Sequence, residues 1–223
     1  MQRKHTPWKK SRKFGDVYGG RTRPKIADNI FNRCHDLDAP EADRDLPILL
    51  QDNPSRDFYF PISAVEAQSA LRELPDYDVS GITHIWCRRL RKKEYDSCSQ
   101  PLAQFVCGSG VRAIVLYPWS RDRKRTFSQV SDQSLLNEMR RLDFVVTKSK
   151  GVWSVSATEK QLRLFYINLL FHEVGHHVDW YYRHFSAANR KATEDAANQY
   201  ANEKSQEALG ALDRIQEFRS WDA

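Results

Sequence analysis

The chain lacks any paired cysteine motif. Its four cysteines, Cys34, Cys87, Cys98 and Cys107, stand apart and none forms C-x-x-C, which disfavours a zinc ribbon or finger. So few cysteines in 223 residues also argue against a disulfide scaffold and suit a reducing compartment. No apolar run is long enough to span a bilayer: the stretch from Leu162 to Phe171 is interrupted by Arg163 and Asn168 and bounded by His172. The N-terminus is charged from the start and lacks the apolar segment of a signal peptide. Internal repeats are missing too. These absences predict a cytoplasmic protein without membrane contact.

What is present suffices for a core. Apolar residues make up 40% and aromatics 12%, with 6 Trp, 9 Tyr and 11 Phe, so wholesale disorder is excluded as a reading and one domain with an appendage fits the length. The net charge of +6 is unevenly placed. Residues 1 to 25 carry nine Lys or Arg against the single acid Asp16, a local charge of +8 that leaves the remainder at −2. Residues 1 to 35 therefore read as a basic arm, with Trp8, Phe14 and Tyr18 interleaved. Lys9, Lys10, Arg12 and Lys13 are its candidates for contact with DNA or RNA, against the plainer alternative of a solvated tail. Two more basic clusters, Arg88 to Lys93 and Arg121 to Arg125, carry the same pair of readings. Residues 36 to 57 turn acidic and proline-containing, as a linker would. The expected division is 1–57 for arm and linker and 58–223 for the folded domain.

Within that domain, Ser63 with Glu66 forms a capping box ahead of a short helix that Pro75 stops. Ile82 to Leu90 reads as a strand. Leu102–Cys107 and Val111–Tyr117 read as a hairpin through Gly108-Ser109-Gly110. Residues 119 to 130 read as a basic loop, 135 to 142 as a short helix, and 143 to 155 as a second hairpin. Thr158 with Gln161 caps a helix over about 159 to 184 that is apolar all round and hence buried. A last helix covers about 190 to 209, followed by a charged tail ending near Trp221. Helix, strands, then helices define an α+β class.

The buried helix carries "FHEVGHHVDW", residues 171 to 180. His172 and His176, four apart, lie one above the other on one face, where two imidazoles can converge on a Zn²⁺ ion. Glu173 is offset by about 100°, beside the ion and not toward it, as a general base acting on a metal-bound water must be. Buried histidines also need polar partners, which a metal would supply. His177 is off the ligand face and reads as structural. Asp179 either reaches the site as support or pairs with a basic neighbour or solvent. Gly175, unfavourable in a helix interior, suggests close approach of a neighbouring element.

A catalytic zinc needs a third protein ligand and an open position. The positions 179 and 182 hold Asp and Tyr where a metzincin extension would need Gly and His. A glutamate from the following helix is the alternative, and "ATEDAANQYA" offers Glu194 and Asp195. Helix phase separates them. Ala197 and Ala201 share the face of Glu194, whereas Asn198, Gln199 and Asn202 follow Asp195. Glu194 therefore heads the inward face, small alanines permit close helix approach, and Asn198 can hydrogen-bond a ligand imidazole.

This pattern, His172, Glu173, His176, Glu194 and Asn198, resembles the gluzincin branch of the zincin metallopeptidases, and Glu194, Ala197, Asn198 and Ala201 look most like the compact ImmA/IrrE-type peptidases. The resemblance covers residues 158 to 202. It implies a zincin-like fold, a mixed twisted sheet packed on the buried H-E-x-x-H helix with a glutamate-bearing helix following. It implies an edge strand that pairs with an extended peptide. It also implies zinc-dependent hydrolysis of a protein or peptide substrate, with a His or Tyr outside the motif stabilising the oxyanion; His184, Tyr181 and Tyr200 qualify. Two other readings remain open: a DNA-associated protease similar to SprT-like enzymes, recruited by the basic arm, and a non-enzymatic binding module with structural zinc.

Overall fold

A computed structural model of the chain describes residues 37–90, 101–127, 133–182 and 188–221. The basic arm with Lys9, Lys10, Arg12 and Lys13 lies outside the described residues, as do Arg91, Lys92, Lys93 and His184. The described elements are β1 (Ile48–Gln51), β2 (Phe58–Tyr59), α1 (Ala64–Leu71), α2 (Asp76–Val79), β3 (His84–Cys87), β4 (Ala103–Gly108), β5 (Val111–Leu116), β6 (Trp119–Ser120), β7 (Lys124–Phe127), α3 (Gln133–Arg141), β8 (Val145–Ser149), β9 (Val152–Ser156), α4 (Glu159–Trp180), α5 (Arg190–Glu203) and α6 (Ser205–Trp221). The class is mixed α+β. None of the described helices is long and apolar enough to cross a membrane.

The main sheet has the order β1-β3-β5-β4. β1, β3 and β5 run parallel, and β4 returns antiparallel along β5 through the Ser109-Gly110 turn, where Ser109 has φ 50° and Gly110 φ 81°. A three-stranded antiparallel sheet, β7-β9-β8, and the β2-β6 pair are separate. One face of the main sheet meets α4, and Phe105 on β4 packs edge-on against His177 of α4 at 5.6 Å. The opposite face carries a smaller cluster of Leu90, Val106, Val115 and Tyr117.

Both expected capping boxes form. The Ser63 hydroxyl accepts from the Glu66 N–H while the Glu66 carboxylate accepts from the Ser63 N–H, and Thr158 and Gln161 do the same for α4. The side-chain carbonyl of Gln51 takes the N–H of Ala64, tying β1 to the start of α1. α4 is apolar around its whole circumference because it is enclosed. Leu162, Phe165, Ile167, Leu170, Phe171 and Val174 are buried at 1% exposure or less. They join Ile85, Ile114 and Leu116 of the sheet and Leu212 and Ile215 of α6 in one core. Burial of such side chains contributes about 1.5–3 kcal/mol each.

The fold departs from the expected elements in four places. It begins ten residues before Phe58, because Ile48-Leu49-Leu50 inside the acidic segment forms β1 and pairs with His84 to Trp86. Asp52 fastens that strand's end by accepting from Trp86 Nε1 and from the Arg89 N–H. The expected loop at 119–130 holds β6 and β7, with Arg125 over the rings of Trp119 and Phe127. α4 stops at Trp180, short of 184. The last helical stretch is two helices separated at Lys204, and the second extends through the presumed tail to Trp221.

Tyr166, fully buried, donates its hydroxyl to the Tyr117 carbonyl at 2.7 Å, joining the middle of α4 to the end of β5. Burial pushes that phenol's pKa well above its ordinary range. Tyr166→Phe should leave the carbonyl short of a donor and lower stability by about 1–3 kcal/mol. Denaturant unfolding should show a lower midpoint with an unchanged slope.

Candidate metal centre

α4 supplies two of the three converging groups. The rings of His172 and His176 stand 4.7 Å apart at 88°. Glu194, in the first turns of α5, brings its Oε2 to 3.5 Å from His172 Nε2 and 3.7 Å from His176 Nε2. Ligand atoms of the three lie within 4.8 Å of one another, so the group could hold a metal ion. The edge of a tetrahedron built on metal–ligand bonds of 2.0–2.1 Å is about 3.4 Å, close to both observed separations. Two imidazole nitrogens and one carboxylate oxygen also make a donor set suited to a divalent first-row ion.

Of the two adjacent acids, Glu194 is the one brought to the histidines. Glu194 faces the histidines, whereas Asp195 is exposed. Asn198, one turn after Glu194, hydrogen-bonds His172, as its phase predicted. The electrostatics of the cluster are opposed. Burial lowers the His172 pKa, but the bond to Glu194, the charge of Glu173 and the Asn198 contact outweigh it and raise it overall. His176 is pushed down to about 4 by burial and by the charge on His172. The hydrogen bond from His172 holds Glu194 below its ordinary value, against its own burial.

Glu173 stands next to His172 on α4 and is buried beside the three converging groups. It is 5% exposed, and the Phe105 backbone N–H of β4 donates to its carboxylate. Burial raises its pKa to about 7, and the charge on Glu194 adds to this while His172 and Phe105 oppose it. The Phe105 contact has no local sequence signal. It follows from strand geometry. Gly108–Val111 closes the turn, and the Tyr117 N–H bonds the Leu102 carbonyl, so the inward-bonded positions of β4 are the even ones. Ala103, Phe105 and Cys107 therefore turn their N–H and C=O toward the outer edge, where Glu173 meets one of them. Among the described residues no strand pairs with that edge.

Gly175 is where α4 and α5 touch. A Cβ there would meet Ala197 Cα at 2.8 Å, Tyr200 Cβ at 3.0 Å and Ala197 O at 3.1 Å. The glycine and the alanines of α5 thus bring the two backbones close enough for Glu194 to reach His172 and His176.

His177 is structural, as expected: it is fully buried, its Nε2 lies 2.9 Å from the Ser80 carbonyl, and burial lowers its pKa. Asp179 is buried in the last turn of α4 at 6% exposure, which removes the solvent-facing alternative. The two tyrosines considered as oxyanion donors are engaged elsewhere. Tyr200 donates to Asp78 Oδ2 at 2.8 Å, and the Tyr181 hydroxyl contacts Arg112 and the Ser80 carbonyl. Asp78 and Ser80 lie about a hundred positions before their partners, so nothing local in the sequence announced them. Of the basic clusters, Arg88 stacks over Trp86 and Tyr117, and Arg121 donates to the Arg56 carbonyl.

Compared with protein-family models, curated proteins and solved structures, the chain matches none.

Gly175→Ala should gain about 1 kcal/mol of helix propensity but lose about 1–3 kcal/mol to overpacking against the α5 backbone. A lower thermal midpoint would register the net effect. Metal titration against a chromogenic chelator should show one site per chain, lost in Glu194→Ala. In Asn198→Ala the affinity should be weaker by roughly 10–100-fold, the usual effect of removing a ligand's hydrogen-bond partner.

Proposed function

We propose that the chain is a zinc-dependent metallopeptidase with a zincin-like fold, similar to the gluzincins. The observation that carries this reading is the convergence of His172, His176 and Glu194 beside the buried carboxylate of Glu173, at the outer edge of an antiparallel strand. The three side chains would hold the ion. Zinc, when bound, supplies Lewis acidity, acidifying a water and polarising a carbonyl. Neutral imidazoles and one carboxylate leave the ion a net positive charge, which suits that task, and the three-ligand set matches catalytic zinc more than the four-ligand structural kind.

The chain's own groups do the remaining work. The Glu173 carboxylate takes the proton of the attacking water and hands it to the leaving amine. The Phe105 N–H orients that carboxylate. Asn198 fixes the ring of His172. An extended peptide would add as a further strand at the outer edge of β4, with which no described strand pairs. An extended protein or peptide segment is thus the substrate class. The non-enzymatic alternative makes Glu173 dispensable, which a single substitution examines.

Glu173→Gln keeps shape and burial and removes the base. It should bind zinc as the wild type does and lose peptidase activity by about 10²–10⁴-fold, the usual worth of general-base catalysis. Cleavage of an unfolded protein such as reduced casein, followed by mass spectrometry with zinc content measured in parallel, reads both quantities. Equal cleavage by the two proteins would remove the mechanism.

A further inference from the structure

At the turn end of β4 lies a cavity of about 300 Å³ lined by Gly81, Cys107, Ser109, Gly110, Arg112 and Trp180, among others. Its one charged group is Arg112. That guanidinium sits between two rings, 4.8 Å from the centre of Trp180 and 4.6 Å from that of Tyr181. Guanidinium has five N–H donors, and among the described residues one of them reaches the Tyr181 hydroxyl. No carboxylate among the described residues forms an ion pair with it. The backbone is shaped around this arrangement. Gly81, at φ +83°, has no Cβ, and one placed there would come within 3.0 Å of the guanidinium and 3.2 Å of the Tyr181 hydroxyl. The Arg112 N–H donates to Thr83 Oγ1 at 2.8 Å, and its carbonyl accepts from the Thr83 N–H at 2.8 Å. A cation clamped by aromatic faces keeps its in-plane donors for a planar anion.

The cavity is in register with the candidate active site. Trp180 follows His176 by one turn of α4, a rise of about 6 Å. Cys107, which pairs across to Arg112, lies two residues beyond Phe105 on β4, about 6.6 Å along the strand. The strand ruler places the cavity two residues from Phe105, where Glu173 meets the strand, and the helix ruler places it one turn beyond His176. A peptide pairing antiparallel to β4 would run from the turn end toward Ala103, so the cavity would face its N-terminal side.

We infer that this cavity is a specificity pocket in which Arg112 receives a carboxylate side chain of an extended peptide, two residues to the N-terminal side of the bond cut. The inference rests on the peptidase reading above, and its test separates the two. The zinc-loaded protein is incubated with a degenerate decapeptide library, N-acetylated and C-amidated, and the products are sequenced by mass spectrometry. Glu should exceed Gln at that position by roughly tenfold, the worth of one charge-assisted hydrogen bond. The preference should vanish in Arg112→Gln and persist in Tyr181→Phe, which removes the hydroxyl but keeps the ring. A second library with free C-termini distinguishes a side-chain carboxylate from a terminal one: a preference seen only there, or Glu enriched only on the C-terminal side, overturns the assignment. Cleavage with no difference between Glu and Gln in the wild-type protein overturns the pocket and leaves the peptidase standing, whether or not the Arg112 variant folds. If no peptide is cut, anisotropy of fluorescein-labelled octa-alanine carrying one Glu or one Gln decides. Tighter binding of the Glu peptide that requires Arg112 keeps an anion pocket while the peptidase reading falls, and equal binding overturns the pocket as well.

Discussion

The contact between α4 and α5 at Gly175 governs the rest of the site. Only a glycine lets the Ala197 backbone come so near, and the convergence of Glu194 on His172 and His176 needs that approach. Glu194 and Asn198 precede and follow Ala197 on the same side of α5, so a larger separation would withdraw both from His172 at once. The close crossing also explains why α5 is rich in alanine where it faces α4, although its outward face is polar. A glycine that weakens the helix interior by about 1 kcal/mol is therefore set where its missing side chain positions a carboxylate. The wider core holds α4 rigid on its other sides, so that the crossing fixes α5 relative to the sheet as well as to the histidines.

Charge is the second constraint. Two histidines and two carboxylates share a small, partly enclosed volume, and their titrations pull in opposite directions: His172 up, His176 down, Glu173 up, Glu194 down. One proton between His172 and Glu194 is the arrangement those side chains reach among themselves. A divalent cation would replace that proton and satisfy both imidazoles and Glu194 together, while Glu173, held off by the Phe105 N–H, would keep its carboxylate beside the ion. Burial makes the carboxylate at Glu173 costly without such a neighbour, which gives the residue a reason to stand one position from a ligand and not at a ligand position.

The legible parts of the sequence were those written in short-range chemistry. The two capping boxes, the all-round apolar helix, the H-E-x-x-H spacing and the phase argument that preferred Glu194 to Asp195 need only neighbours within a few turns, and the structure agrees with each. Elements whose cause is distant were missed. Ile48-Leu49-Leu50 sits among acids and prolines and becomes a strand because β3 offers an open edge. β6 and β7 form from a basic stretch because β2 and β9 pair with them. The break at Lys204 carries no glycine or proline to mark it. Tyr181 and Tyr200 were sound guesses by chemistry, but partners at Asp78, Ser80 and Arg112 had already claimed their hydroxyls.

Reversal of one strand gives the main sheet its functional asymmetry. A wholly parallel sheet would present the same polarity at both edges. Here β4 runs opposite to β5, which it enters through the Ser109-Gly110 turn, and this reversed strand is the one that packs on the histidine-bearing helix. Its pleat directs alternate residues to the two faces, so Phe105 and Cys107 point toward α4 while their backbone groups point outward. The same two residues thus join three things: the packing of His177, the orientation of Glu173 and the approach to Arg112. The helix meets the strand at Phe105, which contacts both Glu173 and His177. An extended chain laid along that edge would pass Phe105 and Cys107, the neighbour of Arg112, so its sequence preference would be fixed by strands and not by a loop.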